Sequence, residues 1–441
     1  MQPDIGIHRA RRAHLSGTLG EGVLILATAP EAIRNRDAHY PYRFDSHFYY
    51  LTAFPEPEAV LVLIAGKRPR QILFCREKNE EREIWDGFRH GPKGAKEAFG
   101  FDAAYSYAEL DKRLPKLLEN QPRLAYAFGT DPAWDARVMG WINTVRGRAR
   151  AGVTAPATLT DAHAMVDAMR LVKDHHEISL MQRAADISVK AHVAAMRACR
   201  PGKGEWEIEA ELLRTFRRHG CQAPAYTSIV AGGANACVLH YVSNDQPLKD
   251  GDLLLIDAAG EYHGYAADIT RTFPVNGRFS AAQKDVYEIV LAAQLAAIDA
   301  AIPGNTFNTP HEAALGVLTR GMVDLKLLRG EVDGLIESEA YKRFYMHRTG
   351  HWLGLDVHDA GDYKQPGTNS WRTLEPGMAL TVEPGFYIRP ADDVPAVFHN
   401  IGIRIEDDVV ITDNGCKVLT ATAPKTVKDI EEHMRERVRG R

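Results

Sequence analysis

The stretch LLLIDAAGEYHGYAADITRTF, residues 253–273, reads as two apolar strands joined by a turn between Gly260 and Gly264. Each strand carries one aspartate, Asp257 and Asp268, where a buried sheet favours valine or isoleucine. If the strands form a hairpin centred in that turn, the two acids sit opposite one another on one face, with Cβ atoms about 4.5–5.5 Å apart. Like charges placed so in a half-buried sheet repel, and something positive must sit between them.

The theme repeats further on. In NIGIRIEDDVVIT, Ile401, Ile403 and Ile405 alternate with Gly402, Arg404 and Glu406, which predicts a strand with one apolar face and with Arg404 and Glu406 together on the other. Glu383 closes MALTVEPG, just before a Pro384-Gly385 turn. HRTGHWLGLDVHD offers three histidines, His347, His351 and His358. Four carboxylates and one imidazole converging on a point make a hard, oxygen-rich ligand set. Such a set suits Mn²⁺, or Co²⁺ and Zn²⁺ less selectively, and two ions about 3.5–4 Å apart would neutralise the acids. Taken singly, each feature has an ordinary explanation: a strand acid is usually edge-exposed or salt-bridged, VEPG is a strand end and turn, and a histidine run is usually loop surface. Their joint order and spacing argues for a metal site.

The chain of 441 residues is long enough for two domains. Its formal net charge of -4 offers no basic field for nucleic acid or anionic membrane. No apolar run approaches the ~18 residues of a membrane span, and no apolar h-region follows the basic start. Five cysteines without a C-x-x-C pair argue for a reducing compartment, the cytoplasm, and against a disulfide framework. Short apolar runs, GVLILATA, AVLVLIAG and RQILFC, predict buried strands in the first part. After MRLVKDHHEISL, helical spacing takes over, and the predicted domain boundary falls near residue 170. Beyond it, helical segments over 177–219 lead to the Asp257 and Asp268 strands, and segments over 280–328 lead to those of Glu383 and Glu406. The order suggests an internal duplication.

IDAAGEYHGYAADITRTFPV, HWLGLDVHD, LTVEPGFYI and GIRIEDDVVIT together resemble the pita-bread metallopeptidases, which include methionine aminopeptidase, prolidase and aminopeptidase P. RDAHYPYRFDSHFYYLTAFPEPEAVLVL, followed by REIWDG, resembles the amino-terminal domain of the aminopeptidase P group. Two departures, AAG after Asp257 and HRTGH before the ligand histidine, remove no ligand. The resemblance implies a two-domain α/β chain: a creatinase-type N-terminal α/β domain over 1–169, serving oligomerisation and the pocket wall, and a pita-bread α+β catalytic domain over 170–441.

The resemblance also implies the site. Asp257, Asp268, His351, Glu383 and Glu406 would hold two Mn²⁺ per subunit, with Asp268 and Glu406 bridging; Co²⁺ or Zn²⁺ could substitute. Glu383 would relay a proton from the attacking water, His358 would stabilise the oxyanion, and His240 would face the substrate. Arg404 would orient Glu406, and His347 would line the outer pocket. Trp85 and Asp37 would wall the pocket of a neighbouring subunit in a homodimer or homotetramer. The implied substrate is a peptide with a free amino terminus and proline second. The nearest rival is a dipeptidase of the same fold; a metal-free binding module or a creatinase-like hydrolase would be expected to have lost ligands that this chain keeps.

Overall fold

Residues 22–27 and 60–65 are almost wholly apolar, and both become strands buried on two faces. The structure, a computed structural model, describes residues 4–436. The chain divides into two units, Met1–Arg170 and Leu171–Arg441. In the first, the strands of the main sheet are β1 (Gly22–Ala27), β2 (Val60–Ala65), β3 (Arg70–Cys75), β4 (Ala103–Ser106), β5 (Arg123–Tyr126) and β6 (Thr158–Asp161). They lie in the order β4-β3-β2-β1-β5-β6. Strands β1, β5 and β6 run parallel, as do β3 and β4, and β2 is antiparallel to both its neighbours. The helix Pro132–Arg146 buries Val138, Trp141, Ile142 and Val145 in the core beside this sheet.

The aromatic segment between β1 and β2 splits by role. Phe48, Tyr50, Leu51 and Phe54 are core residues, whereas Tyr40 is exposed. Asp45 starts the short helix Ser46–Thr52 by accepting a hydrogen bond from the Phe48 amide at 2.8 Å.

The second unit repeats one arrangement. Helices His175–Ala198 and Glu205–Arg218 precede a first strand group, and helices Ala281–Ala300 and Thr309–Asp324 precede a second. Capping boxes start the leading helix of each pair, Asp174 with Glu177 and Ser280 with Gln283. The first strand group comprises β7 (Ala223–Pro224), β8 (Ile229–Gly232), β9 (Leu253–Asp257), β10 (Gly260–Tyr262), β11 (Tyr265–Ala266) and β12 (Thr270–Pro274). The second comprises β13 (Ala379–Val382), β14 (Gly385–Ile388), β15 (Ile401–Arg404), β16 (Asp407–Thr412) and β17 (Gly415–Val418). Antiparallel pairing joins β8-β9-β12, β11-β10-β7, β13-β16-β17 and β14-β15.

The hairpin register differs from the one expected. Tyr262 pairs with Tyr265 and Asp257 pairs with Thr270, so Asp268 is not directly opposite Asp257. The turn is the dipeptide His263-Gly264, both with positive φ, 50° and 82°, and this moves the centre towards the C-terminus. The two acids nevertheless line one cavity.

A second difference concerns how the acids sit in their strands. Asp257 is the last residue of β9, and Asp268 lies in the break between β11 and β12. Glu383 lies between β13 and β14, and Glu406 between β15 and β16. An acid at a break need not hold a place in the pleat, which leaves its carboxylate able to turn into a cavity. This is how a buried sheet tolerates them.

Arg271 and Asp407, both without solvent exposure, fix one of these breaks through an ion pair of 2.7 Å. The same guanidinium donates to the backbone carbonyls of Glu406 at 2.6 Å and Pro424 at 3.0 Å. Lys425 supplies a second cation to Asp407 at 2.7 Å. Arg271→Met should therefore leave Asp407 half-compensated and cost about 3 kcal/mol, the lower end for a broken buried pair. Thermal melting should show a drop of roughly 6–12 °C; a variant melting with wild type would show that the pair carries no stability.

Candidate metal centre

The four acids and His351 line one cavity of about 430 Å³ in the second unit. His240, His347, His358 and Arg404 line it too. Donor atoms of Asp268, His351 and Glu406 lie within 4.8 Å of one another.

Local backbone packing places His351. A Cβ on Gly350 would lie 2.1 Å from the Thr381 carbonyl oxygen, so only glycine lets this segment press against β13. The Thr381 amide then donates to the His351 carbonyl at 2.9 Å, and the His351 amide donates to Thr381 Oγ1 at 3.1 Å. In the ring, Nδ1 lies 2.9 Å from the Trp352 carbonyl, which can only accept, so Nδ1 carries the hydrogen. Nε2 is left to face Asp268 at 3.4 Å and Glu383 at 3.7 Å. A lone pair aimed at carboxylates requires a proton or a metal ion between them.

The acids show the same deficit of positive charge. Tyr226, a residue that the sequence reading did not single out, brings its hydroxyl within 2.5 Å of Asp257 and closer still to Asp268. One phenol hydrogen satisfies one carboxylate, so the other needs a proton or a cation. Burial, with Asp268 and Glu383 nearby, raises the Glu406 carboxyl well above the usual carboxylate range. Burial lifts Glu383 to about 7 against the pull of His351 and Arg404. Burial and then Asp257 raise Asp268. Burial opposes a charge on His351, but its hydrogen bond to Asp268 and the charge of Glu383 outweigh it and raise the imidazole to about 9. The donors thus fit divalent cations, which would replace the protons that this cluster otherwise holds.

Arg404 departs from its expected part. Its guanidinium reaches Asp257 at 2.6 Å, Thr270 Oγ1 at 3.1 Å and the Tyr387 hydroxyl at 3.0 Å, which commits all three nitrogens. Glu406 instead accepts from the Thr270 hydroxyl at 2.6 Å. The reason is the end of β15 at Arg404: beyond it the alternation on which a shared face depends is broken.

His347 turns inward, where Nδ1 donates to the Arg348 carbonyl at 2.7 Å and Nε2 accepts from the Tyr387 hydroxyl at 2.8 Å. Burial and then Arg404 push it down to about 3, so the ring is neutral. His358 lies edge-on to His351, with centroids 4.2 Å apart. Burial and the His351 charge lower its pKa, which keeps one N–H available on a neutral ring. Asp408 was not singled out either; its carboxylate accepts from the Asp268 amide at 3.1 Å and steadies that break. Nothing in the spacing marks Tyr226, but the adjacent acids of IEDD hinted at Asp408. Trp85 and Asp37 belong to the first unit, where both are exposed, Trp85 by 80%.

Residues 179–413 match metallopeptidase family M24, and residues 8–126 match the N-terminal domain of aminopeptidase P. The chain is 45% identical to the Xaa-Pro aminopeptidase of Haemophilus influenzae over 93% of each chain. It is also 45% identical to that of Escherichia coli over 94% of each. Among solved structures, Pseudomonas aeruginosa aminopeptidase PepP superposes with a TM-score of 0.97 at 50% identity, over 99% of both chains. A zinc-substituted E. coli aminopeptidase P in complex with product gives 0.96 at 42% identity, again over 99% of both. With the five donors gathered in one cavity and both domains matched, this chain belongs to the M24 metallopeptidases of the aminopeptidase P type.

Proposed function

We infer that the chain is an Xaa-Pro aminopeptidase, a metal-dependent hydrolase that releases the N-terminal residue from peptides with proline second. The observation that carries this is the convergence of Asp257, Asp268, His351, Glu383 and Glu406 on one cavity, in a chain 45% identical to Xaa-Pro aminopeptidases over nearly its whole length. These five residues would hold two divalent ions, with Asp268 and Glu406 shared between them. Mn²⁺ suits a set with four carboxylates to one imidazole, with Co²⁺ or Zn²⁺ as substitutes. Such a pair, when bound, supplies Lewis-acid polarisation and lowers the pKa of water.

The chain's own groups do the rest. Glu383, raised to about 7 by burial, is poised to take a proton from water and pass it to the leaving proline nitrogen. His358, neutral and at the cavity wall, donates its N–H to the oxygen of the scissile carbonyl as charge develops there. His240 and His347 line the substrate side, and Arg404 holds Asp257 in place. The enzyme acts in the cytoplasm, a reading supported by five cysteines, four of them buried, that form no C-x-x-C pair. It assembles as a homodimer or homotetramer in which Trp85 and Asp37 wall a neighbouring subunit's pocket. The exposure of Ile84, Trp85 and Phe88, by 81%, 80% and 69%, supports an assembled surface there.

Glu406→Ala should arrive short of at least one metal equivalent by elemental analysis. His358→Ala should keep both and lose turnover by about 10²–10³-fold, as for a lost oxyanion donor. A metal-depleted His358→Ala protein would make His358 a ligand rather than a helper.

The function itself is tested with an Xaa-Pro dipeptide, tripeptide and pentapeptide. Release of the first residue from the longer peptides is expected, whereas cleavage of the dipeptide alone would make the enzyme a dipeptidase. In the same series Trp85→Ala should raise KM or shift the length preference with kcat little changed and the melting temperature intact. An unchanged length profile would remove Trp85 from the pocket.

A further inference from the structure

The motif HRTGH, which departs from the family pattern without removing a ligand, places Thr349 just ahead of Gly350 and His351. Thr349 is buried, with 3% of its surface exposed. Its hydroxyl lies 2.6 Å from the Tyr345 hydroxyl and 2.8 Å from His311 Nδ1. Tyr345 is fully buried, and His311 belongs to the helix Thr309–Asp324. Whichever tautomer His311 adopts, the Thr349 hydroxyl can accept from one neighbour and donate to the other. A polar chain therefore runs from that helix into the segment 345–351. It stands behind the cavity wall, which is lined by the neighbouring His347, Arg348, Gly350 and His351.

The backbone of the same residue meets the metal centre. The Thr349 carbonyl accepts from the Glu383 amide at 2.8 Å. The Thr381 amide donates to the His351 carbonyl at 2.9 Å, and Trp352 bridges Leu380 in antiparallel fashion. Residues 349–352 are thus zipped along β13, and the bond from Glu383 to Thr349 carries that pairing past the end of the strand at Val382. Glu383 Oε1 and His351 Nε2 lie 3.7 Å apart, close enough to serve the same ion. The competing explanation is that a buried hydroxyl only satisfies its neighbours. Filling the space with apolar groups of the same shape would be nearly neutral for stability. What apolar groups cannot supply is direction: hydrogen bonds at both sides of Oγ1 fix where the Thr349 backbone stands, and with it the Glu383 amide.

We propose that Thr349 is a positioning residue of the metal centre: its hydroxyl, gripped between Tyr345 and His311, fixes the backbone that holds Glu383 and His351 in register. The inference rests on the metal centre proposed above and concerns the ion that these two residues would share.

Metal-free protein is titrated with Mn²⁺ by calorimetry, and amide hydrogen exchange over residues 379–388 is followed in the same metal-free state. In Thr349→Val, one of the two metal equivalents should weaken by about 10–100-fold, the range for a lost outer partner, while the other binds as in wild type. Exchange over 379–388 should quicken, with β8 and β9 keeping wild-type protection. At saturating metal, kcat on an Xaa-Pro tripeptide should fall about tenfold with KM within about twofold of wild type. Thr349→Ser keeps the hydroxyl and should restore all of these readouts. His311→Leu breaks the chain from the helix side and should move them in the same direction, which carries the test if Thr349→Val does not fold. Variants that melt lower yet bind both equivalents with wild-type affinity would overturn the inference and reduce the chain to a stabilising contact. Wild-type protein that takes up no metal would instead overturn the metal centre itself.

Discussion

Crowding of four carboxylates in one buried cavity is the constraint on which the second unit depends. Burial alone makes each charge costly, and their mutual repulsion adds to that cost. The chain supplies too little positive charge to compensate. Arg404 reaches Asp257 alone among the four, at 2.6 Å. His351, with its Nδ1 hydrogen spent on the Trp352 carbonyl, faces Asp268 and Glu383 through Nε2, a position that takes either a proton or a metal ion. Protons or divalent cations must make up the difference, and at neutral pH a pair of cations does so with a useful chemical result.

The scaffold answers this electrostatic problem through interrupted strands. Asp268, Glu383 and Glu406 all fall at breaks, where the ladder does not fix the direction of the side chain. Breaks expose backbone groups, and these are tied down from behind. Asp408 accepts the Asp268 amide at 3.1 Å, and Arg271 collects the Glu406 carbonyl at 2.6 Å. The Glu406 amide donates to the Thr270 carbonyl at 3.1 Å. The buried Arg271, Asp407 and Lys425 network thus positions the donors without entering their cavity.

Much of this was legible in the sequence, for reasons particular to each element. Acids interrupting apolar runs are conspicuous, and Asp257 and Asp268 reach one cavity despite the shifted centre of the hairpin. That shift could not be read, because it depends on His263, a non-glycine residue, taking positive φ beside Gly264. The partner of Arg404 was misread for a related reason: alternation predicts faces only while a strand continues, and β15 stops at Arg404. Tyr226 carried no pattern at all. It is distant in sequence from both aspartates it touches, and its role exists only once the chain has folded.

The central claim is that protons occupy this cluster until metal displaces them. It is tested by counting protons released when metal-free enzyme is titrated with Mn²⁺ at pH 7, using calorimetry in buffers of different ionisation enthalpy. His351, raised to about 9, is protonated at pH 7, Glu383 near 7 is partly so, and Glu406 is shifted in the same direction by burial and its acidic neighbours. Filling the site should release at least one proton per subunit, with fewer as the starting pH rises. Metal binding with no proton release would mean that the acids are already ionised and tolerated, and would contradict the account.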